Sequence, residues 1–443
     1  MATSAQPVST SLQPQAPAIA ERVYSVDLLR GVIMVIMALD HTREHLMNLP
    51  FVPENLARTW PLLFFTRWIT HFCAPWFCFL AGTGAYLAMS RGKSLTQVRS
   101  LLWKRGVFLI VFEWTVMMFA LTFIPLPMPI ALILWALGCS MIVLAPLTHL
   151  PLKWIAAFSI ALMALHNLAD PVRPAAFGHF AWLWQILHVQ GAIVSNPPHV
   201  LFGKIPVMFV VAYPLLPWPA VMAAGYAFGA VMKKPTAERR RIMLWLGIAC
   251  IALFIVVRAT NIYGNPNQPG TTGDFHAQSR ISMSIVSFLD TQKYPPSLDF
   301  LLMTLGPGFL ALAWFDRLKT ATMKTVTLKP DTQNTDPRIS GTHGLKSRLG
   351  RFFIVYGRVP MFYYALHIFL IHLLAIAVAL LTGQPAKWLL NGGILLNQAP
   401  KNYGHALGVV YAVWIIAVLL LYFPCRWYMD LKRRRRDWWM QYV

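Results

Sequence analysis

The chain has 443 residues, is 57% hydrophobic and only 12% charged, and carries a formal net charge of +22. Uncharged apolar runs recur along its whole length, which excludes a soluble globule and marks a polytopic helical membrane protein lying in a lipid bilayer. A nucleic-acid partner is excluded by the distribution of charge, because Lys and Arg stand in short clusters between apolar runs, where the positive-inside rule expects them.

Residues 1–22, rich in Ser, Gln, Pro and Ala over Met1–Ala20, read as a disordered tail. They lack a basic stretch followed by an apolar core, so the first helix is expected to act as an uncleaved anchor. A membrane domain is expected over 23–427, and a basic tail over 428–443. Ten spans are predicted, near 28–47, 68–89, 106–124, 130–148, 153–168, 206–232, 242–260, 298–315, 352–381 and 405–424. Each Lys/Arg-rich cluster follows an even-numbered span, which predicts that both termini are cytoplasmic. The outward segments 48–60, 169–205 and 261–297 are long, and suggest work done on the outer face. Within the second, PAAFGHFAWLWQILH reads as an aromatic, partly helical flap in the membrane interface. The polar loop 320–350 is expected to be flexible. The five cysteines (Cys73, Cys78, Cys139, Cys250 and Cys425) form neither a disulfide framework nor a zinc spacing, and read as buried free thiols.

The chemistry concentrates on the first helix, VYSVDLLRGVIMVIMALDHTREHL. Arg30 and His41 are 11 residues apart, three turns plus ~20°, and so share one face ~16 Å apart. Asp27 and His45 extend that stripe, whereas Asp40 lies ~100° away from His41. A histidine at the outward helix end can take a proton from a hydroxyl or amine and return it to a leaving group. Arg30 can hold a phosphate or carboxylate, or pair with Asp27. The bland alternative is a structural Asp27–Arg30 pair with interfacial His41 and His45. HTREH also matches H-x-x-E-H, in which His41 and His45 would bind zinc and Glu44 would be the base of a hydrolase; no third ligand is evident, and no metal is expected.

Further along, Arg67 and His71 share a face at i, i+4 at the outer side of the second span. Glu113 is an intramembrane carboxyl group, read as functional or equally as protonated or paired with an arginine. In the ninth span Arg358 and His372 fall ~40° off a common face if Pro360 leaves the helix intact, and His367 points elsewhere. One of these histidines is expected to be a satisfied interior group. Arg258, Asn261, Tyr263, Lys293, Tyr294 and Ser297 supply donors and rings suited to sugar or phosphate recognition, as a permissive composition.

SVDLLRGVIMVIMALDH (Ser25–His41) followed by APWFCFLAG (Ala74–Gly82) resembles the catalytic domain of the heparan-α-glucosaminide N-acetyltransferase family, and its bacterial branch in particular. KYPPSLDFLLMTLGP, GRVPMFYYALHIFLIH and PCRWYMDLKRRRRDWW are similar to that branch too. The resemblance implies an integral protein of the bacterial inner membrane. It would move an acyl group, acetyl first, from acetyl-CoA or another acyl-CoA to an amine or hydroxyl of a saccharide or glycolipid. Transmembrane acyltransferases more broadly have Arg-Gly and then His at the spacing of Arg30 and His41, with the histidine regarded as base. The lysosomal acetyltransferase departs from this, with Asn at the position of His41 and its proposed histidine in the following loop; here 48–60 contains no histidine. The resulting expectation is an acyltransferase with His41 as base and Arg30 and Asp27 supporting it. Asp40, His45, Arg67, His71, Arg258, Asn261, Tyr263, Lys293, Tyr294, Ser297, Arg358, His367 and His372 are its candidate binding residues. A homodimer is allowed. The rival class is a transporter or flippase of a polar lipid or glycan, which intramembrane charges and Pro-broken helices fit equally well.

Overall fold

The computed structural model describes residues 24–124, 129–194, 200–201, 205–206, 208–266, 273–327, 345–394, 398–435 and 437–442. The expected N-terminal tail and the part of the polar loop from 328 to 344 lie outside the described residues.

The helices, in chain order, are α1 (Tyr24–Leu46), α2 (Pro61–Trp68), α3 (Cys73–Met89), α4 (Leu95–Phe112), α5 (Met118–Thr122), α6 (Ile133–Leu147), α7 (Leu152–Leu165) and α8 (Ala181–His188). They continue with α9 (Trp218–Met232), α10 (Thr236–Thr260), α11 (Ile281–Leu289), α12 (Leu298–Thr327), α13 (Leu345–Arg358), α14 (Pro360–Leu381) and α15 (Leu407–Arg434). The chain is an all-α polytopic membrane protein. Among the described residues seven helices are long and apolar enough to cross a membrane: Pro61–Met89, Leu95–Thr122, Leu152–Ala169, Thr236–Thr260, Leu298–Leu318, Pro360–Leu381 and Leu407–Arg434. Ile133–Leu147 and Trp218–Met232 are shorter apolar helices, and α1, which carries more charge, is enclosed by α3, α12, α13, α14 and α15. Helices α10 and α15 instead present exposed apolar flanks such as Trp245, Ile248, Val256, Ile416, Leu419 and Phe423, as lipid-facing helices do.

Two departures from the expected spans have local causes. The ninth span is broken into α13 and α14, because Pro360 has no N–H to continue the ladder and instead starts a new helix. Residues at the start of the expected sixth span form strand instead of helix. Strands β1 (Ile130–Ala131), β2 (Gly191–Val194) and β5 (Met208–Val211) make a small sheet in the order β1-β5-β2, and β3 (Val200–Leu201) pairs with β4 (Ile205–Pro206). β-Branched residues favour that geometry, and the Pro-rich stretch before α9 leaves no room for an earlier helix start. The ends of the expected flexible loop are helical, to Thr327 and from Leu345, and the basic tail remains helical to Arg434. The aromatic flap is partly helical as expected, with Phe180 and Trp182 exposed.

Helices meet through small residues, as they do where lipid supplies no hydrophobic drive between them. A Cβ on Gly31 would lie 1.9 Å from the Phe353 carbonyl oxygen, and one on Gly357 1.9 Å from that of Asp27, so α1 and α13 touch backbone to backbone. The same reciprocal contact joins α3 to α9 through Gly82 and Gly225. At one end of the bundle buried Asp316 of α12 accepts from Arg239 (2.6 Å), Arg240 (3.3 Å) and Ser25 (3.4 Å). That gathers the beginnings of α1 and α10 with the later turns of α12.

Candidate active site

One face of α1 organises everything else. Asp27, Arg30, Met34, Met37, His41 and Glu44 follow at steps of three and four residues and therefore form one stripe. The first three line a cavity of about 370 Å³ and the last three a second cavity of about 150 Å³.

The first cavity is basic. Arg30, Arg91, Arg105, Arg358 and Lys432 line it, and among the described residues Asp27 is the carboxylate that lines it with them. Asp27 lies 3.5 Å from Arg30 and, through its other oxygen, 3.5 Å from Arg358, and Arg30 donates to the Gly357 carbonyl at 3.2 Å. The Arg-Gly pair of α1 and the Gly-Arg pair of α13 thus clasp each other, each glycine admitting a neighbouring backbone and each arginine reaching Asp27. Arg105 Nε is buried with no hydrogen-bond partner among the described residues. Sequence reasoning counted Arg91, Arg105 and Lys432 as orientation charges only; their convergence is a tertiary fact.

The second cavity, at the other end of α1, interleaves acids and bases. His41 lies on its wall, partly exposed, with Nδ1 3.4 Å from Glu44 Oε2. Asp40, which seemed turned away, lines the same cavity and is bound by Arg43 at 3.0 Å and by Arg67. Arg67 also donates to Glu54 at 2.9 Å, and His71 Nε2 is 3.4 Å from that carboxylate. Glu54, from the loop after α1, was not anticipated; an acid in an irregular loop leaves no periodic trace. Burial alone would raise its carboxyl, but Arg67 and then His71 outweigh that and hold it well below the usual carboxylate range. Lys293 and Tyr294 close the wall, with the ammonium 5.1 Å from the tyrosine ring and Tyr294 Oη donating to Tyr213 Oη at 3.3 Å. Glu113 also lines this cavity, and it is neither free nor paired with arginine. Its carboxylate accepts from the Leu134 and Trp135 amides at 3.2 and 2.6 Å, capping the N-terminus of α6.

The other expected site residues fall elsewhere. His367 faces differently from His372: its ring lies 5.2 Å from that of His41 and stacks on Tyr363, with Nδ1 3.1 Å from the Tyr363 carbonyl. His45 is buried behind His41, its Nδ1 2.7 Å from the His41 carbonyl and its ring 5.1 Å from His372. The two α1 histidines therefore do not converge as a zinc pair would, and among the described residues no group of three His, Cys, Asp or Glu could hold a metal ion. His372 is the satisfied interior histidine, 3.0 Å from the Ala120 carbonyl and 2.8 Å from that of Leu389. The break at Pro360 voids its expected face with Arg358, which lines the basic cavity.

Arg258, Asn261, Tyr263 and Ser297 line neither cavity. Arg258 is buried and donates to four carbonyls, of Gly273, Ser287, Phe288 and Asp290. Asn261 exchanges hydrogen bonds with the Phe275 backbone, Tyr263 donates to Ala164 at 2.6 Å, and Ser297 caps α12 through the Phe300 amide. Their polar groups hold the loops before α12 in place.

A model of the catalytic domain of heparan-alpha-glucosaminide N-acetyltransferase matches residues 22–261, more than half of the chain and all of the α1 stripe. The chain belongs to that family. No curated protein matches it in full sequence comparison. Membership of the family makes it a membrane acetyltransferase-like transferase, and acyl-CoA is the donor that the family implies in general. The matched region contributes Arg30, Arg91 and Arg105 to the basic cavity and His41, Arg67 and Glu113 to the other, whereas Arg358, Lys432, Lys293 and Tyr294 come from beyond it.

Proposed function

We propose that the chain is an acyltransferase of a bacterial inner membrane, with both termini cytoplasmic. It moves an acyl group, acetyl first, from acyl-CoA to a hydroxyl or amine of an envelope saccharide or lipid-linked glycan. The observation that carries this reading is the single α1 stripe joining a five-cation cavity to a histidine ~16 Å further along. That span is comparable to the pantetheine arm that separates the phosphates of CoA from its thioester. Arg30, Arg91, Arg105 and Arg358 would hold the phosphates, and the thioester would reach His41.

In the proposed step the acceptor oxygen or nitrogen attacks the thioester carbonyl, a C–O or C–N bond forms, and the C–S bond breaks. Glu44 Oε2 lies 3.4 Å from His41 Nδ1, and a proton drawn to that side would leave Nε2 as the base. His41 takes the acceptor proton and returns it to the departing thiolate. Lys293 supplies positive charge for the oxyanion, and the Asp40–Arg67–Glu54 network fixes the wall around it. O- and N-transfer both fit this geometry.

The test is thioester turnover by detergent-purified protein, wild type beside His41→Ala and His45→Ala. Turnover abolished by His41→Ala and retained by His45→Ala supports the reading. Loss in both, restored by zinc in stripped wild type, would instead favour a metal hydrolase. A folded sample that neither binds CoA nor cleaves acyl-CoA would return the case to transport.

A further inference from the structure

The two cavities share three lining residues, Phe77 of α3, Ile133 of α6 and Tyr364 of α14. Three helices independently put the crossover at one depth. On α1 the lining passes from Met34 to Met37; on α3 Cys73 and Ala74 face the histidine cavity while Leu80 and Ala81 face the basic one. On α14 Met361 belongs to the basic side and Ile368 to the histidine side, with Tyr364 between them. The crossover lies four to seven residues short of His41 along α1, or ~6–10 Å, and any passage between the cavities has its waist at these three side chains.

We infer that this waist, made by Phe77, Ile133 and Tyr364, selects the donor by the bulk of its acyl group. The inference rests on the proposed acyltransferase reading. An acyl-CoA held by its phosphates in the basic cavity enters acyl end first, so the acyl group must pass the waist before its carbonyl reaches His41. Three side chains of fixed shape discriminate by cross-section, so branched and aromatic acyl groups are disfavoured more than linear ones of equal carbon number. Beyond the waist the histidine cavity offers only about 150 Å³, to be shared with the acceptor. Both facts assign short, unbranched acyl donors. Phe77 is the residue to alter, because it is half-buried and lines both cavities, whereas buried Tyr364 is packed more deeply.

The experiment measures kcat/KM of the purified full chain with acetyl-, butyryl-, isobutyryl- and benzoyl-CoA, by thiol release with glucosamine as acceptor probe and with water alone. Wild type, Phe77→Ala and Phe77→Trp are compared, together with CoA affinity by calorimetry. Wild type should prefer acetyl-CoA to benzoyl-CoA. Phe77→Ala should raise the benzoyl-to-acetyl and isobutyryl-to-acetyl ratios by about tenfold or more, and Phe77→Trp should lower the butyryl-to-acetyl ratio, both with CoA affinity unchanged. Because each ratio is taken within one protein, a partly misfolded variant does not mimic the effect. Ratios that stay within about twofold in both variants while acetyl-CoA is turned over would overturn the waist and spare the acyltransferase reading. A folded wild type that cleaves no thioester would sink that reading and the waist with it.

Discussion

The two cavities along α1 are built on opposite electrostatic plans. At the first, among the described residues, five cations line the wall with one carboxylate, an arrangement in which an anion would be held by the sum of a field and small displacements would cost little. At the second, Arg43, Asp40, Arg67 and Glu54 alternate in a chain of ion pairs that ends beside His71. That network has little net charge to offer a ligand, and what it provides is position. One end of the stripe is suited to capture, the other to holding a single imidazole, His41, against the wall of a small space.

That contrast can be broken most forcefully at His41. His41→Ala should lower kcat by about 10²- to 10⁴-fold while leaving CoA affinity intact, a split that steady-state kinetics and calorimetry together resolve. Arg105→Gln should do the reverse: CoA affinity falls by about tenfold or more and kcat holds, with wild-type affinity itself declining as salt is raised. A fall in kcat alone would place Arg105 outside donor binding. Glu54→Gln sharpens the second cavity. The folded-state carboxyl lies below its unfolded value of 4.5, so its stabilisation is complete above that pH and is lost as pH falls through the folded value. The variant should be destabilised by about 1–3 kcal/mol at pH 7 in thermal unfolding, and the gap from wild type should close in acid.

A last test, of stability alone and opposite in sign, falls at Asp290, outside both cavities. Burial pushes its carboxyl up to about 8, helped by the charge of Glu54 and opposed by Arg258. A carboxyl whose folded value is raised from 3.8 costs nothing in acid, where both states are protonated, and costs most once pH exceeds about 8. Asp290→Asn should therefore match wild type in stability below the unfolded value and exceed it progressively towards pH 8. An unchanged difference across that range would show that Asp290 does not titrate there.

Much of the α1 stripe could be read in the sequence, because helical periodicity alone places Arg30 and His41 on one face, and the family resemblance suggests the use proposed for that spacing. Partners that arrive from other elements could not. Glu54 comes from a loop without periodicity, and Arg105 and Lys432 looked like orientation signals until the fold brought them to one cavity. Arg258 shows the converse error: a cation at an outward helix end suggests a ligand, but its guanidinium is occupied by four loop carbonyls. The common face expected for Arg358 and His372 fails because Pro360 restarts the helix between them, and a periodicity counted across a break carries no angle.

The waist also has an electrical meaning. In the proposed membrane arrangement the cavities approach it from both ends, so a membrane potential would fall mainly between Met34 and Met37 rather than over a full ~30 Å of hydrocarbon. Moving one elementary charge through such a drop involves ~2.3 kcal/mol per 100 mV. In the proposed cycle the phosphates stop before it, the thioester that crosses it is neutral, and the proton leaves and rejoins on the far side. No net charge traverses the field during the transfer step, so that step should proceed at the same rate in an energised and a de-energised membrane.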